Sequence, residues 1–226
     1  MALAFCAIVA TVTIVLVART RAAASVDAEQ LGEADAVFVV AYHIDRDGTP
    51  SARYRDRLAR AAELARTTDA EIWCLGGLRR GRDRTNAEDS RRYLETLGVP
   101  ADRVRVIDEF PFVGDSLETV QESWAALAVA SHLGARRIIV LADALQAAQV
   151  RLVLSDRVEH LPVLTPSIPS VRTLDDLYYF AVRVPALLVT TIDRDGYSLG
   201  WVRVWRSGRW NAWWGGPDQA FAGAPR

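Results

Sequence analysis

The chain has 226 residues, half of them hydrophobic, and its 27 basic residues against 28 acidic ones leave a net charge of −1. That length holds one domain of ordinary size with appendages, and the near-neutral balance leaves no electrostatic footprint for a nucleic-acid partner. All the basic residues are arginine, which excludes a lysine nucleophile or Schiff base.

The N-terminal stretch from Met1 to Ala18 carries no charge, and Arg19 and Arg21 follow it. Eighteen uncharged, mostly apolar residues lie near the lower limit of about 17 for a spanning helix, so residues 1–25 are expected to be a membrane span or signal segment. Val26–Ala34 reads as a polar connector. Val37–Ala41 is a continuous apolar run rich in β-branched residues, as expected for a parallel strand buried on both faces. Gly48-Thr49-Pro50-Ser51 reads as a turn, with Ser51 the expected cap of a helix over Ala52–Ala65. Ile72–Leu75 reads as the second strand, stopped by Gly76-Gly77. After a charged loop over Arg79–Arg84, Thr85 or Asn86 opens a helix that ends at Gly98. Val104–Ile107 is the third predicted strand, and Ser116 starts a helix through His132. Ile138–Leu141 is the fourth strand, Ala144–Leu154 its helix, and Leu161–Leu164 a fifth strand. Leu174–Ile192 reads as a last helix, interrupted by Pro185. Strand and helix alternate throughout, which predicts an α/β fold, a doubly wound Rossmann-like parallel sheet behind an N-terminal membrane helix.

The C-terminal piece differs in composition. Five of the seven tryptophans lie between Trp201 and Trp214, interleaved with Arg203, Arg206 and Arg209. Residues 201–226 fit either a small hairpin packing its indoles on the domain or an interfacial belt at lipid headgroup level. Cys6 and Cys74 provide no disulfide framework, and His43, His132 and His160 lack the spacing of a metal site, so no metal is predicted.

Four blocks stand at strand ends: Asp35–Ala41 (DAVFVVA), Ala70–Gly77 (AEIWCLGG), Asp115–Glu122 (DSLETVQE) and Arg136–Asp143 (RRIIVLAD). In open α/β sheets the ligand crevice lies outside the carboxyl ends of the strands, so the blocks describe one shared pocket. Between them run a D-G-x-P-S-like turn, a helix with the pair Arg57-Leu58, the stretch YLETLGVPADRV, and Ser116-x-x-Thr119 opening a helix. In this order and spacing the chain resembles the YdcF/SanA/ElyC-like family from Asp35 to Arg157, and more weakly to Gly200. The resemblance implies a small-ligand pocket, a role in the cell envelope, and a single-pass anchor holding residues 35–200 outside the cytoplasm. Arginine on the C-terminal side of the leader alone would favour the opposite orientation.

Backbone amides at glycine turns and helix N-termini bind anions, which singles out Gly76 and Gly77 unless they form only a tight turn. Ser116 and Thr119 add hydroxyls, Ser116 being equally a plain N-cap. The sequence departs from the family's pattern at three places. The first Gly-x-Gly is Ala41-Tyr42-His43, the Ser-Glu that opens the second helix is Thr85-Asn86, and the His-x-x-Arg after the fourth strand is Gln146-x-x-Gln149. Together with Asp143 these positions line the expected mouth, whose ligand would be small and anionic or nucleotide-like. No cofactor can be named. There is no nucleophile elbow, Walker loop or G-x-G-x-x-G fingerprint, so no reaction is assigned. A degenerate, non-catalytic domain acting through protein or lipid contacts is the second reading.

Overall fold

A computed structural model of the chain describes residues 2–24, 31–45, 47–77, 83–107, 119–154, 157–164 and 174–195. Five strands form one sheet: β1 (Ala36–Val39), β2 (Glu71–Leu75), β3 (Val104–Ile107), β4 (Arg137–Ala142) and β5 (Glu159–Leu164). Their order is β3-β2-β1-β4-β5, and every neighbouring pair is parallel. The switch point, where the winding direction reverses, therefore lies between β1 and β4. Among the described residues, six α-helices accompany the sheet: α1 (Ala2–Ala23), α2 (Ala52–Thr67), α3 (Asn86–Thr96), α4 (Thr119–Leu133), α5 (Ala144–Leu154) and α6 (Leu174–Ile192).

The alternation of side chains along each strand sorts the core into two layers. Val37, Val39, Ile72, Cys74, Ile139 and Leu141 face α2 and α3, where Tyr54, Leu58, Ala61, Ala62 and Leu94 meet them. Phe38, Val40, Trp73, Leu75, Ile138 and Val140 face α4 and α5, against Val120, Trp124, Leu127, Val150 and Leu154. Helices on both faces explain why β1 is apolar at every position rather than at alternate ones. Each large side chain so enclosed contributes roughly 1.5–3 kcal/mol relative to exposure. At the amino end, Asp35 Oδ2 accepts the backbone N–H groups of Arg136 (2.7 Å) and Arg137 (2.9 Å), which fixes β1 against β4.

The Rossmann-like α/β expectation is met, and three local expectations change. Ser51 occupies the N-cap position of α2, but its hydroxyl makes no capping bond and is buried without a partner. Its backbone N–H is tied to the His43 carbonyl at 3.0 Å, which anchors the residue in the preceding loop rather than over the helix amides. Pro185 does not interrupt α6, which runs unbroken through it. Beyond the proline, Leu187 is fully buried and Thr190 Oγ1 accepts from Gln149 Nε2 at 3.0 Å, contacts that offset the missing amide. The membrane span expected over residues 1–25 is not seen: among the described residues no helix is long and apolar enough to cross a membrane. Instead the C-terminal part of α1 packs on the domain, Leu16 and Val17 lying against Leu145, Ala148 and Leu187. The tryptophan-rich stretch 201–226 and Ser116 lie outside the described residues.

Candidate functional site

Beyond Val39 the chain stays extended for one more residue, Val40 N–H donating to the Leu141 carbonyl at 3.1 Å. This places Val40–Tyr42 at the carboxyl end of β1, beside Asp143 at the end of β4. Arg57 fills the space between them. It stands on the buried face of α2, one turn after Tyr54 and beside Leu58, and is only 3 % exposed. Its Nη2 donates to Asp143 Oδ2 (3.2 Å) and Gln146 Oε1 (2.9 Å), and its Nη1 donates to the Val40 carbonyl. The guanidinium lies 5.6 Å from the centre of the Tyr42 ring. Its Nε is buried and has no acceptor among the described residues.

The partners of Arg57 are themselves held. Asp143 caps α5, its Oδ1 accepting the N–H groups of Leu145 (3.0 Å) and Gln146 (3.1 Å). Gln146 Nε2 reaches the Ala41 carbonyl (3.2 Å) and Thr119 Oγ1 (3.4 Å). Thr119 Oγ1 also accepts from Arg183 Nη1 of α6 at 2.7 Å, and Glu122 Oε2 accepts the Ala41 N–H at 3.3 Å. Of the predicted site residues, Ala41, Tyr42, Thr119, Asp143 and Gln146 thus converge at the switch point. Gln149, one turn along α5, is buried against α6 instead.

Gly76, Gly77 and Asn86 form a neighbouring group at the end of β2. The Gly77 and Gly76 carbonyls accept the N–H groups of Asn86 (3.1 Å) and Ala87 (3.3 Å). Thr85 and Glu88 complete a capping box, with bonds of 3.1 and 2.7 Å. The first amides of α3 are therefore consumed within the protein, where the sequence suggested an anion cradle. Gly76 has φ +146°, and a β-carbon there would come within 2.8 Å of Asn86 Cβ. Asn86 Oδ1 is buried without a partner. The two groups meet through Tyr54, whose hydroxyl lies 2.9 Å from Ser90 Oγ, itself bonded to the Asn86 carbonyl. Burial, followed by the charge of Cys74, pushes the Tyr54 hydroxyl pKa well above its ordinary value. Burial also pushes the Cys74 thiol up to about 12.

His43 stands apart from the cluster. It is exposed, and its Nε2 pairs with Asp45 Oδ1 at 3.0 Å. It cannot replace the missing imidazole from that position, because the loop bond to Ser51 and the carboxylate partner hold it at the surface.

Sequence reasoning left Arg57, Glu122 and Arg183 out of the site. The signal for Arg57 was present: Tyr54, Arg57, Leu58, Ala61 and Leu64 share one helical face, so an arginine among them is buried with the rest. Chemically, the cluster holds one buried guanidinium with a spare N–H beside the buried carboxylates of Asp143 and Glu122, and that N–H is the donor it could offer to a ligand oxygen. No protein-family model matches the chain, nor does any curated protein or solved structure.

Proposed function

We propose that the chain is a membrane-anchored YdcF/SanA/ElyC-like domain that binds a small anionic or nucleotide-like ligand at the β1–β4 switch point. The observation that carries this reading is Arg57: a guanidinium 3 % exposed, at the carboxyl end of β1, whose Nε has no acceptor among the described residues. Ligands in this fold class bind at that place, and a buried donor without a partner is costly to maintain for structure alone. The Thr119 hydroxyl, which accepts from Gln146 and Arg183, would turn its own O–H towards the ligand, with Tyr42 beside the guanidinium. The role in cell-envelope maintenance, the membrane anchor over residues 1–25 and the extracytoplasmic placement rest on the resemblance and on the apolar leader.

A specific observation favours a second reading, a degenerate member acting through protein or lipid contacts. The amides that open α3 and α5 are spent on Gly76, Gly77 and Asp143. Thermal unfolding of the full chain in detergent separates the two readings. The panel comprises inorganic phosphate, nucleotides, S-adenosylmethionine and a short-chain phosphatidic acid. The first reading expects at least one of these to raise Tm, and Arg57→Lys to abolish the rise. No shift with any of them would favour the second.

A further inference from the structure

The register of α1 against α5 fixes which end of the domain the leader approaches. Leu16 and Val17 lie against Leu145, Ala148 and Leu187, and a turn further on the Arg19 carbonyl accepts Arg151 Nη1 at 2.8 Å. The two helices therefore run side by side in the same direction. That direction also brings the end of α1 towards the amino end of β1, where the chain must arrive. Because α5 starts at the carboxyl end of β4, the residues of α1 before about Ile14 project past the carboxyl ends of the strands. Helix α6 has the same sense: Arg183 bonds Thr119, Leu187 packs beside Leu145 and Ala148, and Thr190 bonds Gln149. Its first turns project on that side too, and α1 and α6 pack together.

The projecting part of α1, about a dozen apolar residues, is about 18 Å long at 1.5 Å per residue. A hydrocarbon core is about 30 Å thick. With Leu16 and Val17 held by the domain, an α1 inserted in a bilayer would reach only about one leaflet deep and would draw the carboxyl end of the sheet onto its surface. Ile14 is 66 % and Val15 43 % exposed at that level, while Arg19 and Arg21 lie towards the other end of α1. Tyr42 connects this end to the site: it packs against the cluster that receives Leu16 and Val17 and also covers the Arg57 guanidinium.

We infer that the switch-point site opens onto the bilayer and takes the anionic headgroup of a membrane lipid rather than a freely dissolved anion. This rests on the reading of α1 as a membrane anchor and on Arg57 as the anion contact. The shared chemistry is a phosphate group, and its source is a lipid because the membrane faces the only end of the sheet at which Arg57 stands.

The test uses the full chain with phosphatidylcholine vesicles. Flotation with the vesicles checks the anchor, and a chain that stays in solution overturns both the anchor and this inference. In a Cys6→Ser background, a bimane on His43→Cys marks the carboxyl end and one on Arg136→Cys the amino end. Brominated lipid should quench the first and spare the second. A chain that floats with only the second label quenched, or neither, keeps the anchor and overturns the orientation. Adding phosphatidic acid to the vesicles should raise Tm, and inorganic phosphate at matched amount should not. Apparent affinity for the phosphatidic acid should fall about tenfold in Arg57→Lys, which lacks an Nε donor while keeping the charge. Equal protection by inorganic phosphate, or a phosphatidic acid effect unchanged by Arg57→Lys, overturns the lipid source or the site.

Discussion

Arg57 and Asp143 form a buried ion pair, 3 % and 7 % exposed at their side chains, and the pair is more telling for what its removal leaves than for what it contributes. Arg57→Met would leave the Asp143 carboxylate without its counter-charge, and Asp143 Oδ2 and Gln146 Oε1 without the donor they share, an expected loss of about 3–5 kcal/mol. Asp143→Asn keeps an oxygen to cap α5, so adding it to Arg57→Met should recover part of that loss in urea unfolding. Strict additivity of the two single changes would show that they are not coupled. Cys74 supplies a pH test. Its thiol pKa is raised from 9.0 to about 12 in the folded protein, so its contribution is complete below pH 9 and is lost as pH rises towards 12. Tyr54, raised by burial as well, acts in the same sense. Unfolding midpoints should therefore fall above pH 9, and a Cys74→Ala variant should fall less steeply; identical slopes would contradict the assignment. At this scale the sequence revealed Asp143, Gln146 and the hydroxyl of Thr119 through their places after strands. The tie between Glu122 and the Ala41 amide was hidden, because it joins residues 81 positions apart on elements whose packing no local pattern specifies.

Helix termini and turns decide how the site is closed. Thr85→Ala would remove a capping bond of 3.1 Å, at an expected cost of about 1 kcal/mol. Gly76→Ala meets both a positive φ and a 2.8 Å approach to Asn86 Cβ, neither at the end of a flexible side chain. A loss of about 1–3 kcal/mol follows, against little change if the turn can rearrange. Gln149 is 2 % exposed and bonded to Thr190. Gln149→Arg, which would restore the pattern of the resembled family, should therefore destabilise by about 2–4 kcal/mol through an unpaired buried charge. A neutral result would show that α6 can move aside. Element types and order were legible because most strands hold a short apolar run and some helices are followed by a glycine stop signal, as at Gly98 and Gly134. The silent hydroxyl of Ser51 and the intact helix at Pro185 were not, since each depends on a tertiary contact that outweighs the local preference.

On the scale of the whole molecule, the strand order β3-β2-β1-β4-β5 brings residues from four separated segments to one end of the sheet. The topology was readable from alternation alone, whereas the docking of α1 on α5 and α6 was not. An apolar leader carries no mark of which of its residues meet lipid and which meet protein. On the proposed function, the cluster around Arg57 is a ligand site and not merely a buried structural network. Hydrogen–deuterium exchange of the full chain in detergent micelles, with and without phosphatidic acid, tests it directly. The account predicts slowed exchange at Val40–Tyr42, Thr119–Glu122 and Asp143–Gln146, lost in Arg57→Lys. Unchanged exchange in those three segments, with or without protection elsewhere in the chain, would contradict it.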